Sequence, residues 1–184
     1  MLKACDSYEL TFFRICCIIY LTLILGGHTM RRSDREITDS RQIEAFIARE
    51  QIIRIAFYDD GDIYIVPVNY GYICENDKYT FYFHGAGAGR KFSLAAASPK
   101  VGFEIDGGYQ LIEADSACNY SARFQSVIGT GTLHIVEDIA EKRKGLDTLM
   151  KQASHKSGWS YSDAMLNAVT VFRLDADKLS CKAK

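Results

Sequence analysis

The chain has 184 residues, a formal net charge of −1, 48% hydrophobic and 24% charged residues. This excludes a disordered chain and fits one domain with a real core. The near-neutral charge leaves no global basic field to steer nucleic acid.

Residues 12–25 form an apolar run broken only by Arg14 and Thr22. It is shorter than the roughly 20 apolar residues a membrane span needs. A signal peptide is one reading, but Asp6 and Glu9 sit where a positive segment belongs, and no small-x-small cleavage pattern follows cleanly. The favoured reading starts translation at Met30, because Gly26-Gly27 can be encoded by a GGAGG run that acts as a bacterial ribosome-binding site. Residues 1–29 are therefore expected to be a non-structural leader, and residues 30–184 the working domain. With that start the protein is expected to be cytoplasmic and to have no membrane contact.

Thr38-Asp39 can cap a helix, and Gln42 completes a pattern like the capping box. Residues 52–58 read as a strand, Asp59-Asp60-Gly61 as a hairpin turn, and residues 63–70 as the returning strand. Pro67 places that strand at an edge or a bulge. Residues 78–84 make an aromatic strand, followed by a helix over residues 91–98 that Pro99 stops. Residues 101–106 form a fourth strand. Residues 107–123 read as a long polar loop, functional or mobile. Residues 125–136 make a fifth strand bent at Gly129 and Gly131, and residues 138–156 a helix. Residues 169–174 close the series as a sixth strand before a polar tail. Trp159 and Tyr161 read as core packing rather than ligand stacking. The expected fold is mainly β (α+β): a six-stranded antiparallel barrel with peripheral helices.

Six cysteines occur, at positions 5, 16, 17, 74, 118 and 181. They form no CxxC pair, and no histidine sits at ligand spacing to them, which argues against zinc. Cys74, Cys118 and Cys181 read as free thiols of a reducing compartment.

The local signal for chemistry is Phe81-Tyr82-Phe83-His84-Gly85-Ala86-Gly87-Ala88-Gly89-Arg90-Lys91. A strand runs through small residues into two cations at a helix start. Small residues let backbone N–H groups approach an anion, and the helix N-terminus favours negative charge. Arg90 can bind phosphate bidentately and Lys91 adds a point charge. The stretch is neither a Walker A loop nor a GxGxxG fingerprint. By composition alone, a phosphate site and a flexible loop with solvated charges weigh equally. His84, beside the glycines, is a candidate ligand contact or a satisfied structural group.

Five pieces occur in order: Ile65-Val66-Pro67-Val68-Asn69-Tyr70-Gly71, Tyr82-Phe83-His84-Gly85-Ala86, Gly89-Arg90-Lys91, Asn119-Tyr120-Ser121 and Ser126-Val127-Ile128-Gly129-Thr130-Gly131. Together they resemble the pyridoxamine 5′-phosphate oxidase-like FMN-binding split barrels, and within them the nitroimidazole-resistance proteins. The resemblance runs from Met30 to about Lys182. It implies a split barrel and a homodimer with FMN at the interface. It implies Arg90 and Lys91 on the phosphate, and Val66, Pro67, Val68, Asn69, Phe83, His84 and Gly85 along the ribityl chain and ring. Ser126 would approach the flavin, and the stretch from Cys118 to Ser121 would help cover the partner's site. His84 becomes the candidate catalytic residue of an oxidoreductase acting on small heteroaromatics such as 5-nitroimidazoles. The alternative is a non-catalytic module for flavin, haem or deazaflavin. The oxidases' arginine-rich substrate signature is absent, and Asn69 stands where they carry lysine, which argues against oxidation of pyridoxamine phosphate.

Overall fold

The computed structural model describes residues 32–184, so the leader expected over residues 1–29 lies outside the described residues. Residues 35–184 form one compact unit. Of the preceding unit, the described part is a short turn in which Arg32 pairs with Asp34 at 2.7 Å.

Turn chemistry sets the hairpins. β1 is the short strand Glu36–Ile37. β2 (Ile52–Asp59) returns as β3 (Asp62–Asn69) through Asp60 and Gly61, at φ 48° and 96°. β4 (Gly71–Glu75) returns as β5 (Lys78–Gly85) through Asn76 and Asp77, at φ 52° and 60°. Positive φ at both central residues gives the turn whose twist matches paired strands. Only the first of these turns carries the Asp-Gly signal.

β6 (Lys100–Ile112), β7 (Ser121–Val136) and β8 (Thr170–Ala183) complete the sheet. Its order is β3-β2-β6-β7-β8-β5-β4, all antiparallel. β8 is the spine. One edge pairs with β7, and the other pairs first with β5 and then, near its end, with β1. The two ends of this path, β3 and β4, are consecutive in the chain, with Tyr70 alone between them.

Strand alternation turns Ile53, Ile55, Phe57, Phe81, Phe83, Phe103, Val127, Phe172 and Leu174 into one core. Phe81 meets Phe103 at 5.3 Å, and Phe83 stacks on Phe172 at 5.0 Å. A β-carbon at Gly129 would overlap the Phe103 ring, which is why a bare backbone is needed there. The expected bend of β7 is a register shift between Thr130 and Gly131.

Helices cover the barrel. α1 (Ser40–Arg49) is capped by Asp39, which accepts from the Arg41 N–H at 2.9 Å and from the Gln42 side chain at 3.1 Å. α2 (Arg90–Ala97) follows β5. α3 (Ile139–Ser154) is capped by Asp138 and packs on β4, where Gly71 lets the Thr148 backbone approach. The Gln152 side-chain amide donates to the carbonyls of Ile47, Ala48 and Glu50 at 3.0, 3.0 and 2.9 Å. It thereby ties α3 to the end of α1.

The sheet has eight strands rather than the six expected. β1 is too short to show a pattern, and β4 follows β3 without a turn signal. Residues 107–123 are not one long loop. β6 continues to Ile112 over a bulge between Gly107 and Gln110, and β7 starts at Ser121. The β6 side of this arm is exposed from Gly108 to Ile112 and the β7 side is mostly half-buried, so no apolar alternation betrays it. The tail is strand as well, since β8 runs to Ala183 with Cys181 1% exposed. α4 (Asp163–Ala168), capped by Ser162, gave no sequence signal. Trp159 was expected in the core but is 43% exposed, because it lies between α3 and α4 rather than on an element facing the barrel.

Replacing Gln152 with Leu removes the donor shared by the carbonyls of Ile47, Ala48 and Glu50, of which Ile47 keeps the Tyr70 hydroxyl. Urea unfolding should show a loss of ~1–3 kcal/mol, the cost of leaving the Ala48 and Glu50 carbonyls without this donor.

Candidate functional site

Gly89 precedes α2 at φ 95°, ψ 178°, a conformation that favours glycine. No side chain caps the helix. Its first N–H groups are thus available to an external acceptor, at the end where the helix favours negative charge.

The two cations that open α2 diverge. Arg90 Nε donates to Asp59 Oδ2 at 2.7 Å, and its guanidinium lies 4.6 Å over the Tyr64 ring. It is therefore tied to the β2–β3 hairpin. Lys91 goes to β5 and β8, with Nζ 5.6 Å from the Phe83 ring centre and 5.2 Å from that of Phe172. Gly85 makes this room, for its β-carbon would stand 2.5 Å from Nζ. Among the described residues no carboxylate pairs with Lys91. Burial pulls the pKa of its ammonium down. A desolvated cation over aromatic faces, with no counter-charge, is a place for an anion.

Val66, Pro67, Val68 and Asn69 lie on β3, which pairs with β2 alone. The edge position expected from Pro67 is thus observed, and a free edge leaves backbone groups for a ligand. Asn69 donates its side-chain amide to the Gln51 carbonyl at 3.1 Å. His84 and Gly85 end β5, opposite Val171 and Thr170. The His84 side chain is exposed, and no described residue bonds or pairs with it.

Ser126 lies on β7 between Asp106 of β6 and Lys182 of β8. It is 7% exposed, and among the described residues its hydroxyl has no hydrogen-bond partner. β7 stands three steps from β3 in the sheet order, about 14 Å at ~4.8 Å per step. Arg90, Lys91, Phe83 and Gly85 are thus brought together around α2, and Ser126 is not among them. Asp59, Tyr64 and Phe172 join that group without having been expected there. Asp59 read only as a turn residue, and nothing near Phe172 in sequence points to Lys91.

Cavities of about 590, 540 and 390 Å³ are lined by other residues and contain none of the expected site residues. Among the described residues no group of His, Cys, Asp and Glu could hold a metal, and no helix is long and apolar enough to cross a membrane. Cys74, Cys118 and Cys181 are free thiols, and Cys118 is exposed.

The family model described as pyridoxamine 5′-phosphate oxidase matches residues 39–183. The chain belongs to this family. A candidate 5-nitroimidazole antibiotic resistance protein from Bacteroides thetaiotaomicron is 32% identical, with a TM-score of 0.70 over 80% of this chain and 86% of that one. The flavocytochrome Anf3 from Azotobacter vinelandii is 21% identical, with a TM-score of 0.69 over 85% of this chain and 72% of that one. An FAD- and haem-binding protein from Mycobacterium smegmatis is 17% identical, with a TM-score of 0.70 over 82% and 73%. These last two share the fold. No curated protein matches the chain.

Lys91 carries the cost of its own desolvation in the ligand-free family fold. Lys91→Met, of similar shape, should raise the thermal midpoint of ligand-free protein by ~2–4 °C, corresponding to about 1 kcal/mol. Scanning calorimetry at low ionic strength checks this.

Proposed function

We propose that the protein binds FMN at α2 and the β3 edge, and that it is an oxidoreductase reducing small nitroheteroaromatics. The observation that carries this is Lys91, a half-buried cation without a carboxylate partner, at the uncapped start of a helix. Arg90 would add a second charge to the phosphate from its seat on Asp59 and Tyr64. Of Val66, Pro67, Val68 and Asn69, the alternate residues whose backbone groups point away from β2 would meet the ring system. Phe83, His84 and Gly85 would flank it. FMN supplies the electron transfer; the chain supplies orientation and charge. His84, exposed and unbonded, is free to give a proton to a bound substrate. The nitroimidazole substrate class rests on the 32% identical relative.

A second copy of the chain would complete the site, making a homodimer with FMN at the interface. Ile63, Ile65 and Tyr58 on β2 and β3, and Ile128 on β7, are 63%, 58%, 62% and 49% exposed. So much outward apolar surface on one sheet favours a partner. The orphan hydroxyl of Ser126 shares that outer face by strand alternation with Ile128. Its distance from β3 fits contact with the flavin of the other copy better than with its own. The exposed Tyr109 and Leu111 of the β6–β7 arm, and Cys118 to Ser121 beyond, would lie over the partner's site. The free thiols suit a cytoplasmic protein.

Purified protein reconstituted with FMN should show the two-band visible spectrum of oxidised flavin and twice the chain mass by light scattering. A Soret band after incubation with haem, with no flavin uptake, would replace FMN with haem. Replacing Arg90 and Lys91 together with Ala should weaken FMN binding by ~3 kcal/mol or more, on the order of 100-fold, in a fluorescence titration. His84→Ala should keep FMN and lower nitroimidazole reduction by ~100-fold. Unchanged turnover would remove His84 from the chemistry.

A further inference from the structure

The hollow of about 540 Å³ shares no residue with the proposed flavin site. Three consecutive residues of β4, Tyr72, Ile73 and Cys74, line it, together with Glu44 of α1 and Lys151 and Gln152 of α3. Consecutive strand residues point to opposite faces. Here Tyr72 and Cys74 pack on the barrel core, and Ile73 packs on the other side with Tyr82, Val136 and Val171. A hollow that touches all three therefore runs along an edge of the strand. The opposite edge is taken, since β4 pairs with β5 alone and ends the strand path. The Tyr72 hydroxyl reaches Glu44 at 3.3 Å, and the Thr148 backbone lies against Gly71, which shares the face of Ile73. α1 and α3 thus wall the open edge from opposite faces.

This edge carries backbone groups without partners. The two-residue turn of Asn76 and Asp77 joins Glu75 to Lys78, so that pair exchanges ladder bonds. By antiparallel alternation Ile73 and Gly71 also bond to β5, while Tyr72 and Cys74 turn their N–H and C=O groups to the open edge. Among the described residues nothing bonds to these outward groups. Gln152 adds an acceptor. It is 8% exposed, its Nε2 is committed to carbonyls at the end of α1, and among the described residues its Oε1 accepts nothing. Backbone donors and acceptors in strand spacing are thus left open between two helices.

We propose that this edge takes a short extended peptide of another protein, added antiparallel to β4, with its terminal carboxylate at Lys151. Strand addition answers each open backbone group with its complement. Four extended residues span about 13 Å, a length that the five residues of β4 can pair. Charge sets the direction. Thr148 lies against Gly71, and Lys151 stands about one helical turn further along α3. An antiparallel strand ends at the Gly71 end of β4, so its carboxylate arrives on the Lys151 side. Among the described residues Lys151 forms no ion pair. Glu44, the one carboxylate among the described lining residues, already accepts from Tyr72 and disfavours an acid on the α1 side.

The test is a titration of the full chain, with FMN present, using acetyl-Thr-Val-Thr-Val with a free terminal carboxylate. Amide hydrogen exchange at Tyr72 and Cys74 should slow about tenfold or more at saturation. The same peptide with a terminal amide should bind about tenfold more weakly, and so should the unaltered peptide to Lys151→Glu. Lys151 is exposed, so this variant keeps the fold, and the amidated peptide makes the same comparison on unaltered protein. A peptide N-methylated at every residue should not bind. No saturable binding at millimolar peptide, equal binding of the methylated peptide, equal affinity of the amidated peptide or of Lys151→Glu, or slowed exchange confined to β3 would each overturn the proposal. Protection of Tyr72 and Cys74 that rises with protein concentration without peptide would give the edge to a second copy, and would overturn it as well. None of these readouts passes through the flavin reading.

Discussion

The hydrogen bond from the Tyr70 hydroxyl to the Ile47 carbonyl, 2.7 Å long and buried, holds the corner on which the barrel closes. Tyr70 is the one residue between β3 and β4, the two ends of the strand path. Burial, reinforced by Glu50, pushes its phenol well above the ordinary tyrosine range, so the group stays a donor. Its ring meets Phe81 edge-on at 5.6 Å. The pinned residue separates β3, paired with β2, from β4, paired with β5. The unpaired edge of β3, on which the ligand reading depends, ends at this pinned corner.

Charge around α2 is partitioned rather than pooled. Arg90 is partly neutralised by Asp59 and stacked on Tyr64, so it braces the hairpin whether or not an anion is present. Among the described residues, Lys91 meets two aromatic faces and fills the space left by Gly85. Adjacent residues of like charge thus have different surroundings: one is held to the hairpin and the other lies over aromatic rings.

Strands with one buried face were legible in the sequence, because Ile53, Ile55 and Phe57 alternate with polar or exposed residues. The Asp60-Gly61 turn and the edge position of Pro67 were legible for local stereochemical reasons. The β6–β7 arm and the second half of β8 were not. Their pairing is dictated by neighbours more than forty residues away or by a partner strand exposed on both faces, and neither writes a period into the chain. At the site, Gly85, Arg90 and Lys91 announced themselves by composition. Asp59, Tyr64 and Phe172 did not, since each earns its place only when the barrel folds α2 against two separate strand pairs.

β8 pairs with β7, β5 and β1, yet it is assembled from residues 170–183. While the chain is being made, the 16-residue β7 and the aromatic β5 each have an open edge with nothing to pair with. The member that joins these edges is synthesised after the strands that flank it, so closing the sheet rests on pairings of high contact order, and until β8 arrives the open edges of β5 and β7 are templates for unwanted strand pairing.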